Sequence, residues 1–254
     1  MIDVHCHILP NVDDGAQTIE ESIAMGRAAV EQGITSIIAT PHHKNNQYEN
    51  TKPQILAAVA ELNQAFQAEG IQLEILPGQE IRIFGEILED YQRQEILSLA
   101  NSNYMLIELP TGQVPRYTEK LLYDLQMEGL VPIIAHPERN QELVQRPDLL
   151  YQFVKKGALT QVTAASVCGA FGKKIKHFSH QLIEANLTHF IASDAHNLAG
   201  RTFMMRKAFK EIQAKYGMDT VYLFQENAEL LVEGSRVYKE MPERIKKKKI
   251  FGIF

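Results

Sequence analysis

The chain has 254 residues, 45% of them hydrophobic and 22% charged, close to the roughly 250 residues of a single α/β barrel and enough to bury a sizeable core. Its formal charge of -5, with basic residues scattered except at Lys246 to Lys249, excludes the broad cationic footprint of a nucleic-acid binder but not nucleic acid as a substrate. Met1-Ile2-Asp3-Val4-His5 is no signal peptide, no apolar run has the length of a membrane span, and Cys6 and Cys168 are too few for a disulfide framework, so a soluble cytoplasmic protein is expected.

Strand-like and helix-like stretches alternate along the chain, without a linker or an internal repeat. An apolar run from Ile2 to His7 reads as the first strand, and Asp13-Asp14-Gly15 marks a turn. Thr18-Ile19-Glu20-Glu21 then opens a helix that closes at Gly33. Ile37 to Ala39 follows as strand, Pro53 to Glu69 as helix, Leu73 to Leu76 as strand, and Arg82 to Ser98 as a less regular segment. Met105 to Glu108 is the next strand and Pro115 to Glu128 the next helix; Val131 to Ala135 (strand) and Gln141 to Lys156 (helix) repeat the unit. Leu159 to Val162, a helix over Gly172 to Ala185, and His189 to Ala192 continue it, and helices at Met204 to Tyr216 and Thr220 to Leu231 finish the fold. Roughly seven strands are predicted, which favours a distorted seven-stranded (β/α) barrel over the ideal eight-stranded one. One domain over 1–240 and a basic, apolar tail over 241–254 are expected.

The apolar runs end in a recurring way. Ile2 to His7, Ser36 to His42, Leu73 to Glu80, Tyr104 to Glu108 and Val131 to His136 each stop at a residue able to bind a metal, and Phe190 to His196 ends in Asp194-Ala195-His196. Side chains at the C-terminal ends of parallel strands converge on one mouth. Residues two apart in a strand share a face, so His5 projects with His7, as Asp194 does with His196. Imidazole with carboxylate suits divalent Mn, Fe or Zn, and no Cys pair signals a structural zinc site. Glu80 and Glu108 directly follow apolar runs, where an unpaired charge is costly. His43 points away from His42 and its role stays open, while His177, His180 and His189 read as helix-surface or structural histidines.

His5-Cys6-His7, Asp13-Asp14-Gly15, Pro41-His42-His43, Gly78-Gln79-Glu80, Ile107-Glu108, Ala135-His136-Pro137-Glu138-Arg139 and Ser193-Asp194-Ala195-His196 resemble the polymerase and histidinol phosphatase (PHP) superfamily. Within it they are similar to the bacterial manganese-dependent protein-tyrosine phosphatases of the CpsB and YwqE type. The likeness runs from Met1 to about Asn227. It implies a PHP barrel with three divalent metal ions, Mn by preference and Fe or Zn otherwise, at the C-terminal mouth of the strands. Carried over residue by residue, His5, His7, Glu80 and Asp194 would hold the first ion. Glu80 would bridge to a second held also by Glu108 and His136, and Asp14, His42 and His196 would hold the third. Arg139 and Arg201 match the arginines that such proteins place near the substrate phosphate.

Metal clusters lower the pKa of water and neutralise phosphoryl charge, so phosphoester hydrolysis needs no protein nucleophile. Cysteine-dependent phosphatases require Cys-x-x-x-x-x-Arg, but Val12 and Lys174 stand at that spacing from Cys6 and Cys168. Phenolate, from a phenol of pKa near 10, leaves with little protonation, so phosphotyrosine is permitted. The resemblance selects it, and implies as substrate the phosphorylated tyrosines of a bacterial tyrosine kinase controlling capsule or exopolysaccharide synthesis. The alternatives are phosphoester hydrolysis of histidinol phosphate or nucleic acid, and a silent binding module. The tail, with Lys246 to Lys249 beside Ile250, Phe251, Ile253 and Phe254, reads either as a solvated terminus or as a weak membrane-surface anchor.

Overall fold

The structure is a computed structural model that describes residues 1–245. The Lys246–Lys249 run and the apolar end, on which the solvated-terminus and membrane-surface readings both rest, lie outside the described residues. In chain order the elements are β1 (Ile2–Cys6), α1 (Ile19–Glu31), β2 (Ser36–Ala39), β3 (His42–His43), α2 (Lys52–Ala68), β4 (Glu74–Pro77) and β5 (Glu80–Arg82). Then come α3 (Ile87–Gln92), β6 (Tyr104–Glu108), α4 (Thr118–Met127), β7 (Val131–Ala135), α5 (Gln141–Gln145), α6 (Pro147–Lys155) and β8 (Leu159–Thr163). The last are α7 (Ala164–Cys168), α8 (Lys173–Glu184), β9 (Phe190–Ala192), α9 (Met205–Tyr216) and α10 (Met218–Val232). Thr18 caps α1 by accepting the Glu21 N–H at 3.3 Å, although Glu21 turns back to the Gln17 N–H at 2.6 Å instead of completing the reciprocal box.

The roughly seven strands predicted are corrected to nine among the described residues. All pair in parallel, in a three-stranded sheet ordered β1-β2-β4 and a six-stranded sheet ordered β3-β5-β6-β7-β8-β9. Two predicted runs break. Ser36 to His42 is interrupted at Thr40-Pro41, where proline has no N–H for the ladder, giving β2 and β3. Leu73 to Glu80 is interrupted at Gly78-Gln79, where the backbone passes so near β2 that a Cβ on Gly78 would lie 2.7 Å from Ile38 Cγ2. The helix predicted over Gln141 to Lys156 divides at Pro147, the first residue of α6, and the sequence predicts no helix at α7.

Alternate strand residues bury into two separate cores. Met105, Ile107, Ile134, Val162 and Ile191 pack with the amphipathic helices in the larger one. Val4 and Ile38 of the three-stranded sheet join Leu106, Ile133, Leu159 and Phe190 of the six-stranded sheet in the smaller one. The sheets also meet at β1 and the chain after β9: Asp194 N–H donates to His5 O and His7 N–H to Ala195 O, each at 2.9 Å. No helix among the described residues is long and apolar enough to cross a membrane.

Candidate metal centre

All nine predicted metal-ligating side chains converge at one end of the strands. His5 lies in β1 and His7 just after it; Glu108 ends β6, His136 follows β7, and Asp194 and His196 follow β9. His42 and Glu80 open β3 and β5, directly after the two strand breaks, and are paired across the ladder. Asp14 is brought in by the turn after β1. That turn presses so closely on the chain leaving β1 that a Cβ at Gly15 would lie 2.1 Å from His7 O.

His5 Nε2 and His7 Nε2 are 3.2 Å apart, and each is within 3.5 Å of Glu80 Oε2 and 3.4 Å of Asp194 Oδ1. His136 Nε2 lies 2.7 Å from Glu80 Oε1, and His42 Nδ1 lies 2.9 Å from Glu80 Oε2 and 3.8 Å from Glu108 Oε2. On the other side, His42 Nε2 and His196 Nε2 are both 3.4 Å from Asp14 Oδ1. Three overlapping groups have ligand atoms within 4.8 Å of one another: His7, Asp14, His42 and His196; His5, His7 and Glu80; His42, Glu80 and Glu108.

The tautomers, assigned from their partners, sharpen the chemistry. His5 Nδ1–H donates to Gln161 Oε1 at 2.9 Å, and His7 Nδ1–H donates to Asp13 Oδ2 at 2.6 Å. Both Nε2 lone pairs then point at one another and at two carboxylates, which only a proton or a cation can reconcile. Glu80 Oε2, Glu108 Oε2, His42 Nδ1 and His196 Nε2 are buried there without a hydrogen-bond partner. Orphaned acceptors at such density in a buried site could hold a cation, and the mixture of imidazole and carboxylate fits divalent transition metals.

The electrostatics follow from crowding. Burial pushes His42 down, but Glu80 and Asp14 outweigh it and hold it up at about 9. Burial likewise opposes the charge on His7, which Asp13 and the other carboxylates raise well above the ordinary value. Glu80 and Asp194 are driven up by burial yet end well below the carboxylate range, Glu80 because of His5 and His42, Asp194 because of Arg139 and His5. Glu108 is lifted to about 7 by burial and then by Glu80. His136 and His196 fall to about 4, burial being the main cause, followed by Arg139 and His7 respectively.

Two of these residues sit in the left-handed region, His136 at φ 31° and Asp194 at φ 52°. Neither is glycine, so each conformation costs on the order of 1 kcal/mol or more, a strain characteristic of residues whose side chain must be aimed.

Arg139 and Arg201 stand at the rim. Arg139 Nη1 is 2.5 Å from Asp194 Oδ2 and its guanidinium lies over Phe171, while Arg201 reaches Asp194 at 3.1 Å and Asp14 at 3.4 Å. Three supporting residues escape the sequence reading: Asp13, Gln161, and Arg82, whose Nη2 is 3.1 Å from Glu108 Oε2. Asp13 had a signal in its position beside Asp14, but Gln161 is 156 positions from its partner and had none. His43 is buried with neither ring nitrogen partnered and belongs to none of the three groups. His177 is exposed on α8, His180 is bonded to Tyr216 and Glu211, and buried His189 accepts the Thr160 N–H. Cys6 is fully buried, and burial pushes its thiol well up, as burial does more mildly for Cys168.

Residues 1–233 match the family described as capsular polysaccharide synthesis, CpsB/CapC. The chain is 50% identical over the full length of both proteins to the tyrosine-protein phosphatase YwqE of Bacillus subtilis (strain 168). It is 40% identical, again over both full lengths, to a Staphylococcus aureus protein named CapC. A crystal structure from work on Bacillus subtilis YwqE and Streptococcus pneumoniae CpsB, presented as unique metal-dependent tyrosine phosphatases, superposes with a TM-score of 0.95 at 49% identity, covering 97% of this chain and 100% of that one.

Proposed function

The chain belongs to the CpsB/CapC family, and from that premise we propose that it is a metal-dependent protein-tyrosine phosphatase. The observation that carries the reading is the pair of Nε2 lone pairs of His5 and His7, locked by Gln161 and Asp13, facing Glu80 and Asp194 across 3.5 Å or less. We infer three divalent ions, Mn by preference: His5, His7, Glu80 and Asp194 around one, Glu80, Glu108 and His136 around a second, and Asp14, His42 and His196 around a third. The three overlapping donor groups support that number, although in them His42 stands with Glu80 and Glu108, while His136 reaches Glu80 at 2.7 Å and Asp194 reaches His5 and His7 at 3.4 Å from outside the groups. The two sheets are read as arcs of one distorted barrel of PHP type with this centre at its C-terminal mouth. Counting β2 with β3 and β4 with β5 as interrupted strands turns nine strands into seven positions, and the shared small core supports closure.

When bound, the ions would supply Lewis-acid chemistry, making hydroxide available near neutral pH and neutralising charge on the phosphoryl oxygens. The protein's own residues do the rest. Arg139 and Arg201, partly exposed beside Asp194, would bind the outer phosphate oxygens and orient the ester for in-line attack. Asp13 and Gln161 keep His5 and His7 in the tautomer that presents Nε2. Cys6, buried with its thiol pushed well up, supplies no thiolate. A phenol leaves as phenolate with little protonation, which suits a centre whose carboxylates Glu80 and Asp194 are held ionised.

The substrate in this reading is the phosphorylated tyrosine of a bacterial tyrosine kinase governing capsule or exopolysaccharide synthesis, met in the cytoplasm, where the free thiols Cys6 and Cys168 are at home. In this reading residues 1–240 make up the catalytic domain, on which the described residues just beyond it rest, Glu243 N–H donating to Ala185 O at 2.8 Å. The test is a panel of phosphotyrosyl peptide, histidinol phosphate and short oligonucleotide, with and without chelator, on the wild type and on the Cys6→Ser, Cys168→Ser double variant. Peptide hydrolysis that chelation abolishes, Mn restores and the double variant retains is expected. Preference for either other substrate, or a folded, metal-loaded but inactive double variant, would overturn it.

A further inference from the structure

A groove opens directly beside the metal centre. It encloses about 400 Å³ and is lined by Glu21, Ala24 and Met25 of α1 and by His196, Asn197, Leu198 and Ala199. Its inner wall thus includes a residue of the candidate centre, and its outer lip is Leu198, a large apolar side chain left 47% exposed. The loop carrying that lip is held firmly: Asn197 Oδ1 accepts the N–H groups of Ala199, Gly200 and Arg201 at 2.8 to 3.2 Å, and Arg201 O accepts those of His196 and Asn197. One tight turn therefore fixes both the rim arginine and the leucine.

The geometry points to this groove as the subsite for the residue flanking the phosphotyrosine of an extended peptide, with Leu198 as a specificity-determining residue that packs an apolar flanking side chain. The inference rests on the phosphotyrosine reading of the centre. Three features fix the occupant. The groove shares His196 with the centre, which sets it directly beside whatever group the centre holds. Its volume suits one side chain with adjoining backbone. Its lip and floor, Leu198, Ala24 and Met25, are apolar, while Glu21 at the edge disfavours an acidic neighbour. A small aryl phosphate has no flanking residue to place in the groove.

The experiment compares steady-state hydrolysis of a phosphotyrosyl peptide with apolar flanking residues, the same peptide with those residues changed to aspartate, and p-nitrophenyl phosphate, using the Mn-loaded wild type and Leu198→Asp, with Leu198→Ala as the milder variant and melting temperature as the check on folding. In Leu198→Asp the KM for the apolar peptide should rise roughly tenfold more than that for p-nitrophenyl phosphate, the discrimination one apolar contact provides, and the wild type's preference for the apolar peptide should vanish. Leu198→Ala should move the same way by less. Equal effects on peptide and aryl phosphate, or no effect of Leu198→Asp on the peptide, would overturn the subsite. A wild type inert on both phosphotyrosyl peptides would instead remove the reading on which it rests.

Discussion

Asp13→Asn is the most searching perturbation of the centre, because it removes a charge and a tautomer lock without changing shape. The Asp13 carboxylate accepts His7 Nδ1–H at 2.6 Å, His42 N–H at 3.0 Å and Gly15 N–H at 2.9 Å. Asparagine has one acceptor oxygen, so its amide nitrogen must confront either the two donors on one side or Gly15 on the other. Hydrogen bonds to a charged group contribute about 1.5–3 kcal/mol each, and an orphaned buried donor costs about 1–3 kcal/mol. The His7 ring can relieve the clash by moving its proton to Nε2, which turns a lone pair aimed at the centre into an N–H. Losing such an orienting partner costs roughly 10–100-fold in metal affinity. Titration of the apo protein with Mn, followed calorimetrically, should show that weakening, with a lowered melting temperature in both apo and loaded forms. Wild-type Mn affinity in a folded Asp13→Asn variant would refute the tautomer argument.

Three further outcomes are expected. Arg139→Ala should keep its metal content yet turn over roughly 10² to 10³ times more slowly, the usual loss of one preorganised donor; metal analysis beside kcat checks it. Gly26→Ala should destabilise by about 1–3 kcal/mol, since its Cβ would lie 2.5 Å from Phe66 Cζ, while turnover per folded molecule stays normal; denaturant melts against activity test this. His189 is held down at about 3 by burial, and secondarily by Lys239, so the native state refuses a proton that the unfolded chain takes up below about pH 6.5. Its contribution is complete above that pH and is lost as pH falls toward 3, by up to about 1.4 kcal/mol per pH unit. His189→Asn, whose Oδ1 can still accept the Thr160 N–H, should flatten that slope in melts between pH 4 and 7.

Most of the layout was legible because one device is repeated: a buried run that ends in a histidine or carboxylate. Ile107 and Ile134 announce strands by their burial, and the polar residues just beyond them stand where strand ends face a common space. The strand count was less legible. Proline at 41 and the close approach at Gly78 are local signals, but whether they break a strand or merely bend it depends on what β2 leaves room for. Supporting residues were the least legible, since Gln161 and Arg82 take their meaning from partners far away in sequence. His189 shows the converse: a buried histidine that serves strand pairing and carries no metal-site geometry.

The seam at β1 also governs the order in which the molecule can be completed. His5 and His7 leave the ribosome long before the backbone that pairs with them, at Asp194 and Ala195, has been made. Until then the outer edge of β1 is an open sheet edge carrying two imidazoles, a state suited to scavenging ions or mispairing. A nascent chain therefore lacks the full donor set until the segment after β9 docks, and any metal uptake by that set has to follow the joining of the two ends. Any cleavage that frees the segment after β9 would take Asp194 and His196 out of the candidate centre and reopen that edge in one event.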